Sequence, residues 1–365
     1  MFPALCKLAI ARAWVLSLLL TVFSAGSPVP AADVSDLRSG EMLLLLPAAA
    51  HQSGDGRHWI VPVHAWVYEP ADSRVRRRLI AAILETRYNL KVTPASAAFF
   101  DPRVNLLLAD NKRGRTIVAD VAGTRATLPP TKPNGHTVAN VRVPVTDAAS
   151  DGAKLAIRAV LPASDSRTIE ASAHLIGPAG LSIISDIDDT VKITHVHDRR
   201  RMWEATFYQP FAAVEGMPAA YRKLTVAGAP VHYVSSSPWH LAGPLLEFLS
   251  GSSLPFSSIA LKYFRLKDRT SLNILKPGRE TKPPEIEAIL ARYPGRRFVL
   301  IGDSGEDDPE VYAQVLRRHP RQVAKVYIRN VTAARRDDAR FAKLFAGLDA
   351  ERWALFDDPG EITAD

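Results

Sequence analysis

Cysteine is almost absent from this chain: Cys6 is the only one in 365 residues. It lies within residues 1–31, a segment that is predicted to be removed from the mature protein. The remaining chain can then form no disulfide bond and offers no thiol as a metal ligand or nucleophile. Disulfide scaffolds and cysteine catalysis are therefore excluded.

The sequence also lacks a second long apolar run. Its one apolar core, residues 15–23, is preceded by Lys7 and Arg12 and followed by small residues. This pattern predicts a secretory signal peptide, cleaved after Ala31 or, alternatively, after Gly26. An uncleaved anchor is the other interpretation, but the core is short against the roughly 20 residues that span a bilayer. We therefore expect an exported protein, either periplasmic or secreted.

A dense tract of lysine and arginine with interleaved aromatic residues is missing as well. The formal charge of +8 becomes +6 once Lys7 and Arg12 are removed. Without such a tract, nucleic-acid binding is not expected. The positive balance suits an anionic substrate or an anionic membrane surface.

Short runs that favour strands, separated by turn clusters, occupy residues 36–178. The clearest of them are residues 59–68, 103–110, 115–123 and 136–145. They predict an all-β sandwich domain. One helix is predicted inside it at residues 73–85, where arginines are interpreted as a solvated face. GPAG, residues 177–180, is the predicted linker.

Residues 179–332 alternate between strands and helices, which predicts a parallel sheet with right-handed crossovers. The predicted strands are residues 181–185, 231–234, 298–301 and 323–328. The predicted helices are residues 217–227, 239–250, 284–293 and 309–318. Residues 333–365 are predicted to be a charged tail, with a short helix over residues 341–345 and ten frayed residues at its end.

The residues suited to chemistry stand at the ends of these predicted strands. LSIISDIDDTVK, residues 181–192, leads from an apolar strand into Asp186, Asp188, Asp189 and Thr190. Alternate residues of an extended chain share a side, so Asp186 and Asp188 can converge on one cation. Paired carboxylates that also meet phosphate oxygens favour Mg²⁺.

Three further elements follow in chain order. They are a strand that ends in Ser235, Ser236 and Ser237, then Lys282 before a predicted helix, and then GDSGEDDPE with Asp303, Glu306, Asp307 and Asp308. A DxDxT pattern alone is a weak signal, but the four elements in this order resemble the haloacid dehalogenase superfamily of phosphotransferases. SDIDDTVKIT, YVSSSPWHL and FVLIGDSGEDDPEVY are similar to the catalytic domain of the actin-patch-protein type phosphatidate phosphatases.

The resemblance implies a Rossmann-like α/β haloacid dehalogenase fold with a parallel sheet and a small cap. It implies a Mg²⁺-dependent hydrolase of phosphatidate or a related phosphomonoester. Asp186 would be the nucleophile that forms an aspartyl-phosphate. Asp188 would protonate the leaving oxygen and then activate water, and the neighbouring acids are expected to raise its pKa.

The resemblance also implies the ligands of the metal and of the phosphate. Mg²⁺ would be bound by Asp186, Asp188, Asp303 and Asp308, with Asp188 using its backbone carbonyl. Phosphate would be bound by Thr190, Ser235 and Ser236, with Lys282 balancing its charge. Backbone N–H groups around Asp189 and Thr190 would complete an anion cradle.

Several of these residues allow a second interpretation. Asp189 would only cap the local turn, and Thr190 would hold that turn by a hydrogen bond. Ser236 and Ser237 would be turn residues ahead of Pro238.

Other polar residues remain open. Lys276 competes with Lys282 for the role of the phosphate-balancing lysine. Glu306 and Asp307 would serve as N-terminal charges of the following helix. His195 and His197 lie close to the acids, but no third ligand with zinc spacing accompanies them.

The segment between the first two elements, residues 199–217, is too short for a large cap domain. Its three arginines with Met202, Trp203, Phe207 and Phe211 would meet an anionic bilayer. Alternatively, these aromatic residues form the packed side of a helix.

Two other functions compete with a phosphatase. DIDDT also resembles the acid motif of some terpene cyclases, but those proteins are helical, and the β-rich first half argues against them. The other alternative is an exported binding module, in which the acids hold a structural cation without catalysis.

Overall fold

The computed structural model of the protein describes residues 32–226, 228–263 and 278–363. The predicted signal peptide with Cys6, both cleavage sites and Lys276 lie outside the described residues. Among the described helices, none combines the length and apolar composition needed to cross a bilayer.

The N-terminal region contains one continuous sheet, which we call the N-terminal sheet. Its strands in the described residues are β1 (Met42–Leu45), β2 (Ala48–Gln52), β3 (His58–Glu69), β4 (Asp110–Asn111), β5 (Val118–Val121), β6 (Thr124–Thr127), β7 (His136–Pro144), β8 (Lys154–Ala159) and β9 (Glu170–Ile176). The long strand β3 pairs with β1, β2, β4 and β7. Trp59, Val61, Val63 and Ala65 alternate along β3 and are fully buried, as one core-facing side requires.

The strands predicted at residues 59–68, 115–123 and 136–145 correspond to β3, β5 and β7. All strands of this region hydrogen-bond into one sheet, and they enclose a single apolar core. The predicted all-β sandwich is therefore not confirmed, although the region is rich in strands.

This region also contains two helices, α1 (Arg74–Tyr88) and α2 (Pro94–Leu107), and so differs from the predicted all-β domain. α1 confirms the helix predicted at residues 73–85, and Ser73 caps it by accepting a hydrogen bond from the backbone N–H of Arg76 at 3.3 Å. The strand predicted at residues 103–110 is wrong, because most of it is the end of α2.

Packing and capping explain why α2 is a helix. Thr93 and Ser96 form a capping box at its start, and Pro94 occupies the first helical position. Phe100 and Val104, four residues apart, are buried on the side that packs against Leu84 of α1 and against Phe207 and Tyr208. Helical spacing of apolar residues therefore prevails over the strand propensity of the segment.

The second region, residues 179–363, carries the predicted catalytic residues, and we call it the catalytic region. It contains a parallel sheet, which we call the catalytic sheet. Its strands in the described residues are β10 (Gly180–Ser185), β11 (Val231–Pro238), β12 (Ser258–Lys262), β13 (Arg296–Asp303), β14 (Val323–Arg329) and β15 (Trp353–Phe356). They are ordered β12-β11-β10-β13-β14-β15, and every neighbouring pair is parallel. The predicted α/β fold with a parallel sheet is confirmed, while β12 and β15 were not predicted.

Helices cover both faces of this sheet. Those in the described residues are α3 (Arg199–Trp203) with a following π-helical turn (Glu204–Tyr208), α4 (Met217–Thr225), α5 (Ala242–Gly251) after a 3₁₀ turn (Trp239–Leu241), α6 (Gly278–Arg292), α7 (Asp308–Arg318) and α8 (Ala339–Leu344). The main difference from the prediction concerns α6, which begins six residues earlier than residue 284. Lys282 therefore lies inside the helix rather than before it.

The predicted tail contributes to the catalytic region. α8 matches the short helix expected over residues 341–345, and β15 adds the edge strand next to β14. Phe356 and Ile362 are almost fully buried. The expected fraying of the last ten residues is therefore wrong for residues 356–363.

The two sheets belong to one compact unit, residues 32–365. His174 Nδ1 of β9 lies 2.7 Å from Ser257 Oγ, and the Tyr293 hydroxyl donates to the Ala50 carbonyl at 3.3 Å. Arg296 donates to the Gly177 carbonyl at 3.0 Å, which fixes the predicted linker against the catalytic sheet.

The sheet order brings the chemical elements to one edge. β10 lies between β11 and β13, and Ser185 is in register with both Tyr233 and Ile301. The acids after β10, the serines of β11 and Asp303 of β13 therefore meet at the carboxyl ends of adjacent strands.

Candidate active site

Asp186 and Asp188 leave β10 in the predicted alternation. Both carboxylates are buried, and Ile187 between them is fully buried in the apolar core. The backbone N–H of Asp186 donates to the Ile301 carbonyl at 2.9 Å, which continues the pairing with β13. The two acids are thus held rigidly at the strand end.

Four donors surround the carboxylate of Asp188. Ser237 Oγ donates at 2.6 Å, Ser235 Oγ at 3.1 Å and Thr194 Oγ1 at 2.8 Å, while Lys192 Nζ forms an ion pair at 2.8 Å. Three hydroxyl groups and one ammonium group therefore fix its position.

These donors change the expected protonation of Asp188. Burial alone would raise its pKa, but the charge of Lys192 and the hydrogen bonds from Lys192, Ser237 and Thr194 outweigh burial and lower the pKa to about 2. The predicted rise is therefore wrong. The expected neighbours were acids, whereas the carboxylate contacts hydroxyl groups and a lysine.

Asp189 holds the turn that follows, in agreement with its structural interpretation. Its φ is +55°, and its side chain accepts backbone N–H bonds from Thr194 at 2.8 Å, His195 at 2.8 Å and Val196 at 2.6 Å. The backbone N–H groups of Asp189 and Thr190 donate to carbonyls of Lys192 and Ile187. They are therefore committed to the turn, so the predicted anion cradle is wrong for these two groups.

Thr190 does not stabilise that turn through its side chain. Its hydroxyl is buried and has no hydrogen-bond partner among the described residues. The structure therefore gives no support to the alternative role that was predicted for Thr190.

The three serines of β11 lie on two different sides of the strand, because successive residues of a strand alternate between its sides. Ser235 and Ser237 lie on one side of the strand, and both donate to Asp188. Ser236 lies on the other side, and its hydroxyl is buried without a hydrogen-bond partner in the described chain. Ser237, predicted to be a turn residue, thus contacts the site, and the period of two along a strand would have identified it.

Lys282 is the centre of a second polar cluster, which we call the acidic cluster. It is fully buried, and its Nζ lies 2.9 Å from Asp186 Oδ1 and 3.1 Å from Glu306 Oε2, and also contacts Asp308. The acids raise the pKa of Lys282 well above its usual value, although burial opposes them. Lys282 is therefore a permanent positive charge.

Asp303 and Asp308 complete the acidic cluster. Asp303 Oδ1 accepts backbone N–H bonds from Gly305 at 2.7 Å and Glu306 at 3.1 Å. Asp308 Oδ2 accepts the backbone N–H of Asp303 at 3.2 Å. Asp308 thus connects Lys282 to the end of β13.

Three carboxylates could hold a metal ion together. Asp186, Asp303 and Glu306 each offer one oxygen, and these oxygens lie within 4.8 Å of one another. The predicted set also contained Asp188, through its backbone carbonyl, and Asp308. The Asp308 carboxylate contacts Lys282 and the backbone N–H of Asp303, while the role of the Asp188 carbonyl stays a prediction. Glu306 was instead interpreted as a helix N-terminal charge, and its approach to Lys282 could be seen only in three dimensions.

The charge of the acidic cluster is not balanced by the protein. Its four acids face the single ammonium group of Lys282 in the described residues. Burial raises the pKa of Asp186 well above its usual value, with Lys282 opposing and the other acids adding to the rise. Asp186 Oδ2 and Asp303 Oδ2 are buried and accept no hydrogen bond from any described residue. An oxygen-only site with excess negative charge fits a hard divalent cation.

An apolar cleft of about 220 Å³ opens beside these carboxylates. Asp188 and Glu306 lie at its polar end, together with Ser236 and Ser237. Its apolar wall is formed by Leu107, Met202, Trp203, Phe207 and Leu241. Leu107 belongs to α2, so the N-terminal region supplies part of the cleft.

The segment predicted to face a bilayer is largely packed. Phe207 and Tyr208 are buried against Leu84 and Phe100, and Phe211 stacks under the guanidinium of Arg103 at 3.8 Å. The packed-helix alternative is therefore correct for Phe207, whereas Phe211 is packed but lies outside a helix.

The two nearby histidines lie outside the metal-binding groups of the described residues. His195 Nε2 lies 3.1 Å from a guanidinium nitrogen of Arg201, and His197 is exposed. The structure thus agrees with a surface position for both.

The comparison with known proteins agrees with this geometry. Residues 181–330 match the family model described as the catalytic domain of phosphatidate phosphatase APP1. An uncharacterized protein of Schizosaccharomyces pombe is 35% identical over 187 residues, which cover 49% of this chain and 30% of that protein. Phosphatidate phosphatase APP1 of Saccharomyces cerevisiae is 34% identical over 161 residues, which cover 43% of this chain and 27% of that protein.

The chain thus spans less than a third of the length of these curated relatives. A crystal structure of a HAD family hydrolase from Deinococcus radiodurans, with bound phosphate and sodium, is 13% identical and covers 49% of this chain and 92% of that one. Its TM-score of 0.30 is too low to establish a shared fold. The sequence match is much stronger: residues 181–330, which contain every carboxylate of the site, are similar to the catalytic domain of phosphatidate phosphatase APP1.

Proposed function

We propose that the protein is a Mg²⁺-dependent phosphatase that hydrolyses phosphatidate or a related lipid phosphomonoester through an aspartyl-phosphate on Asp186. One observation carries the proposal: the buried carboxylate of Asp186 is ion-paired to Lys282 and clusters with Asp303 and Glu306, and Glu306 lines an apolar cleft. The family of the catalytic domain supports the same reaction.

The metal fits the oxygen ligands that the chain provides. Asp186, Asp303 and Glu306 would hold Mg²⁺, which would neutralise charge on the phosphoryl oxygens. Lys282 contributes a further positive charge beside Asp186. This combination lets an anionic phosphate approach a carboxylate nucleophile.

In the first step, an Asp186 carboxylate oxygen attacks phosphorus and the bond from phosphorus to the alcohol oxygen breaks. That oxygen leaves with the electron pair and takes a proton from Asp188. Because Asp188 is ionised at neutral pH, the proton enters with the phosphate monoanion and passes through Asp188. The donors that surround Asp188 keep it in place for this transfer.

In the second step, water attacks the aspartyl-phosphate and Asp188 accepts its proton. The bond from phosphorus to Asp186 breaks, which releases inorganic phosphate and regenerates the carboxylate. The hydrogen bonds from Ser235 and Ser237 orient Asp188 toward this water, so these serines act as positioning residues.

The cleft favours a substrate with an apolar alcohol. Five of its lining side chains are large and apolar, and they begin beside the carboxylate of Asp188. A sugar phosphate would leave its hydroxyl groups without partners against this wall, whereas a glycerolipid would bury hydrocarbon there.

The test is phosphate release from phosphatidate in mixed micelles and from glycerol phosphate, each with and without a chelator. Wild type should prefer phosphatidate and lose activity with the chelator. Asp186→Asn should reduce release to background, while Asp337→Asn, the same change at an exposed acid, should not. Strong preference for glycerol phosphate would refute the lipid assignment, and full activity of Asp186→Asn would refute the nucleophile.

The same variant separates an enzyme from a cation-binding module. A module with a structural cation would release no phosphate in any form of the chain. An enzyme loses release in Asp186→Asn while its fold, measured by circular dichroism, is kept.

We also propose that the protein is exported. The support is the apolar core at residues 15–23 after Lys7 and Arg12, with small residues beyond it. N-terminal sequencing of the protein from a bacterial periplasm or medium should begin at residue 32 or 27. An intact N-terminus in the cytosolic fraction would refute export.

A further inference from the structure

Helix α1 carries an apolar stripe on its outer side. Val75, Leu79 and Ile83 are 78%, 60% and 52% exposed. In the described residues, only Val138 and Val226 are other large apolar side chains that are more than half exposed. At 3.6 residues per turn, positions four apart lie along one side of a helix, so the three side chains form a continuous stripe.

The opposite side of α1 explains why the stripe is not part of the core. Leu84 is buried, and Ile80 and Ala81 pack against the same cluster, which also contains Phe207. Leu107 and Trp203 belong to that cluster and line the apolar cleft. α1 is therefore anchored by its inner side and lies one packing layer from the cleft.

Arginines border the stripe. Arg74, Arg76, Arg78 and Arg87 are exposed, and none of them forms an ion pair with a described acid. Arg77 is different, because its guanidinium is held by Asp72 at 3.2 Å and Asn105 at 2.8 Å. α1 contains five arginines and one glutamate, so its net charge is +4.

We propose that the outer face of α1 docks on an anionic lipid bilayer. Val75, Leu79 and Ile83 enter the boundary between headgroups and acyl chains, and the bordering arginines pair with acidic headgroups. This charge pattern disfavours a second copy of the chain as the occupant, because two α1 helices face to face would bring two charges of +4 together.

The docking surface deepens the proposed function and rests on it only for the substrate. Phosphatidate is itself an anionic membrane lipid, so a surface that binds acidic bilayers places the cleft where this substrate is concentrated. The docking surface lies on α1 rather than on residues 199–217, whose aromatic side chains are packed inside.

The experiment measures binding of the full chain, as the expressing cell processes it, to sedimented vesicles. One set of vesicles is phosphatidylcholine alone, and the other contains phosphatidylglycerol, which is anionic but is not a phosphomonoester. Val75→Glu is compared with Val226→Glu, the same change at an exposed valine away from α1. Thermal melts confirm that both variants fold.

Wild type and Val226→Glu should bind the anionic vesicles and not the neutral ones. Val75→Glu should bind them about tenfold more weakly or worse, as expected when a valine no longer enters the bilayer. Arg76→Gln with Arg78→Gln should weaken binding about tenfold and reduce its dependence on salt.

Three results would overturn the proposal. They are no preference of wild type for anionic vesicles, equal binding by Val75→Glu and Val226→Glu, or a wild-type dimer in solution that Val75→Glu converts to a monomer. Vesicle binding needs no turnover. A protein that fails to bind vesicles would therefore contradict the docking surface without contradicting the proposed phosphatase activity. An inactive protein that binds vesicles would refute the phosphatase alone.

Discussion

Glu41 of the N-terminal region and the acidic cluster of the catalytic region differ in how their buried negative charge is balanced. In the N-terminal region, Glu41 is matched by one cation, since Arg115 Nε donates to it at 2.7 Å and Arg115 Nη2 at 2.7 Å. In the catalytic region, the four acids of the acidic cluster share Lys282. Glu41 has a cation of its own, whereas the acidic cluster holds surplus negative charge that protonation or a bound cation can offset.

The pKa shifts follow the same division. Burial would raise the pKa of Glu41, but the hydrogen bond and charge of Arg115 prevail and lower it. Burial raises the pKa of Asp303 well above its usual value, and the neighbouring Asp308 and Glu306 add to the rise. Among these buried acids a lowered pKa accompanies a nearby cation, as at Glu41 beside Arg115 and at Asp188 beside Lys192. A raised pKa instead accompanies the acidic cluster, where a cation could bind.

The largest expected effect is on the rate of phosphate release, when Lys282 is removed from the acidic cluster. Lys282→Met leaves the acidic cluster without a fixed positive charge, so phosphate release should fall about 10²- to 10³-fold. Lys343→Met, the same change on an exposed helix, should leave the rate unchanged. Rates measured at saturating substrate decide the matter, and a Lys282→Met enzyme with normal turnover would contradict the role of this lysine.

Breaking the matched pair should cost stability instead of activity. Arg115→Leu leaves the buried Glu41 without its ion-pair partner, which should lower the free energy of unfolding by about 3–5 kcal/mol. Arg158→Leu breaks an exposed pair with Glu170 and should cost less than about 1 kcal/mol. Urea denaturation measures both, and equal losses would contradict the distinction between buried and exposed pairs.

Magnesium should stabilise only through the acidic cluster. At about one hundred times its Kd, Mg²⁺ should add about 2.7 kcal/mol to wild type and to Glu41→Gln. Asp303→Asn removes one of the three clustered oxygens and should lose most of this gain. Thermal melts with and without Mg²⁺ test the prediction, which fails if Asp303→Asn keeps the full increase.

The smallest expected effect is the loss, at acidic pH, of the difference in stability between wild type and Glu41→Gln. The pKa of Glu41 is lower in the folded protein than its ordinary value of 4.5, so its pairing stabilises the fold above that value. The stabilisation is lost as the pH falls through the lower, folded pKa. Wild type should therefore be more stable than Glu41→Gln at neutral pH, and the two should converge in acid. A constant difference across this range would contradict the shift.

The sequence predicted the catalytic sheet well because its strands are apolar runs that end in polar residues. β10 and β13 are of this kind, and each delivers an acid at its end. β12 was missed because Ser258–Lys262 has only five residues, and both of its ends are polar. The strand predicted at residues 103–110 failed because the capping residues of α2 begin ten positions earlier, at Thr93.

The sequence predicted which residues form the site better than it predicted the contacts between them. Asp186, Asp303 and Lys282 come together because the strand order is set by the fold class. The lysine beside Asp188 could not be foreseen, since Lys192 returns to it through a turn that Asp189 holds. The role of Glu306 depends on where α6 begins, which local sequence does not define.

The position of Leu107 shows that the reacting groups and the wall of the cleft come from different parts of the chain. The catalytic family model begins at residue 181, yet a wall of the cleft comes from residue 107, far outside it. A catalytic domain of this kind behind a different leading region would therefore lack Leu107 and this part of the wall. Exchange of the leading region would change the lining of the cleft and leave every residue of the acidic cluster in place.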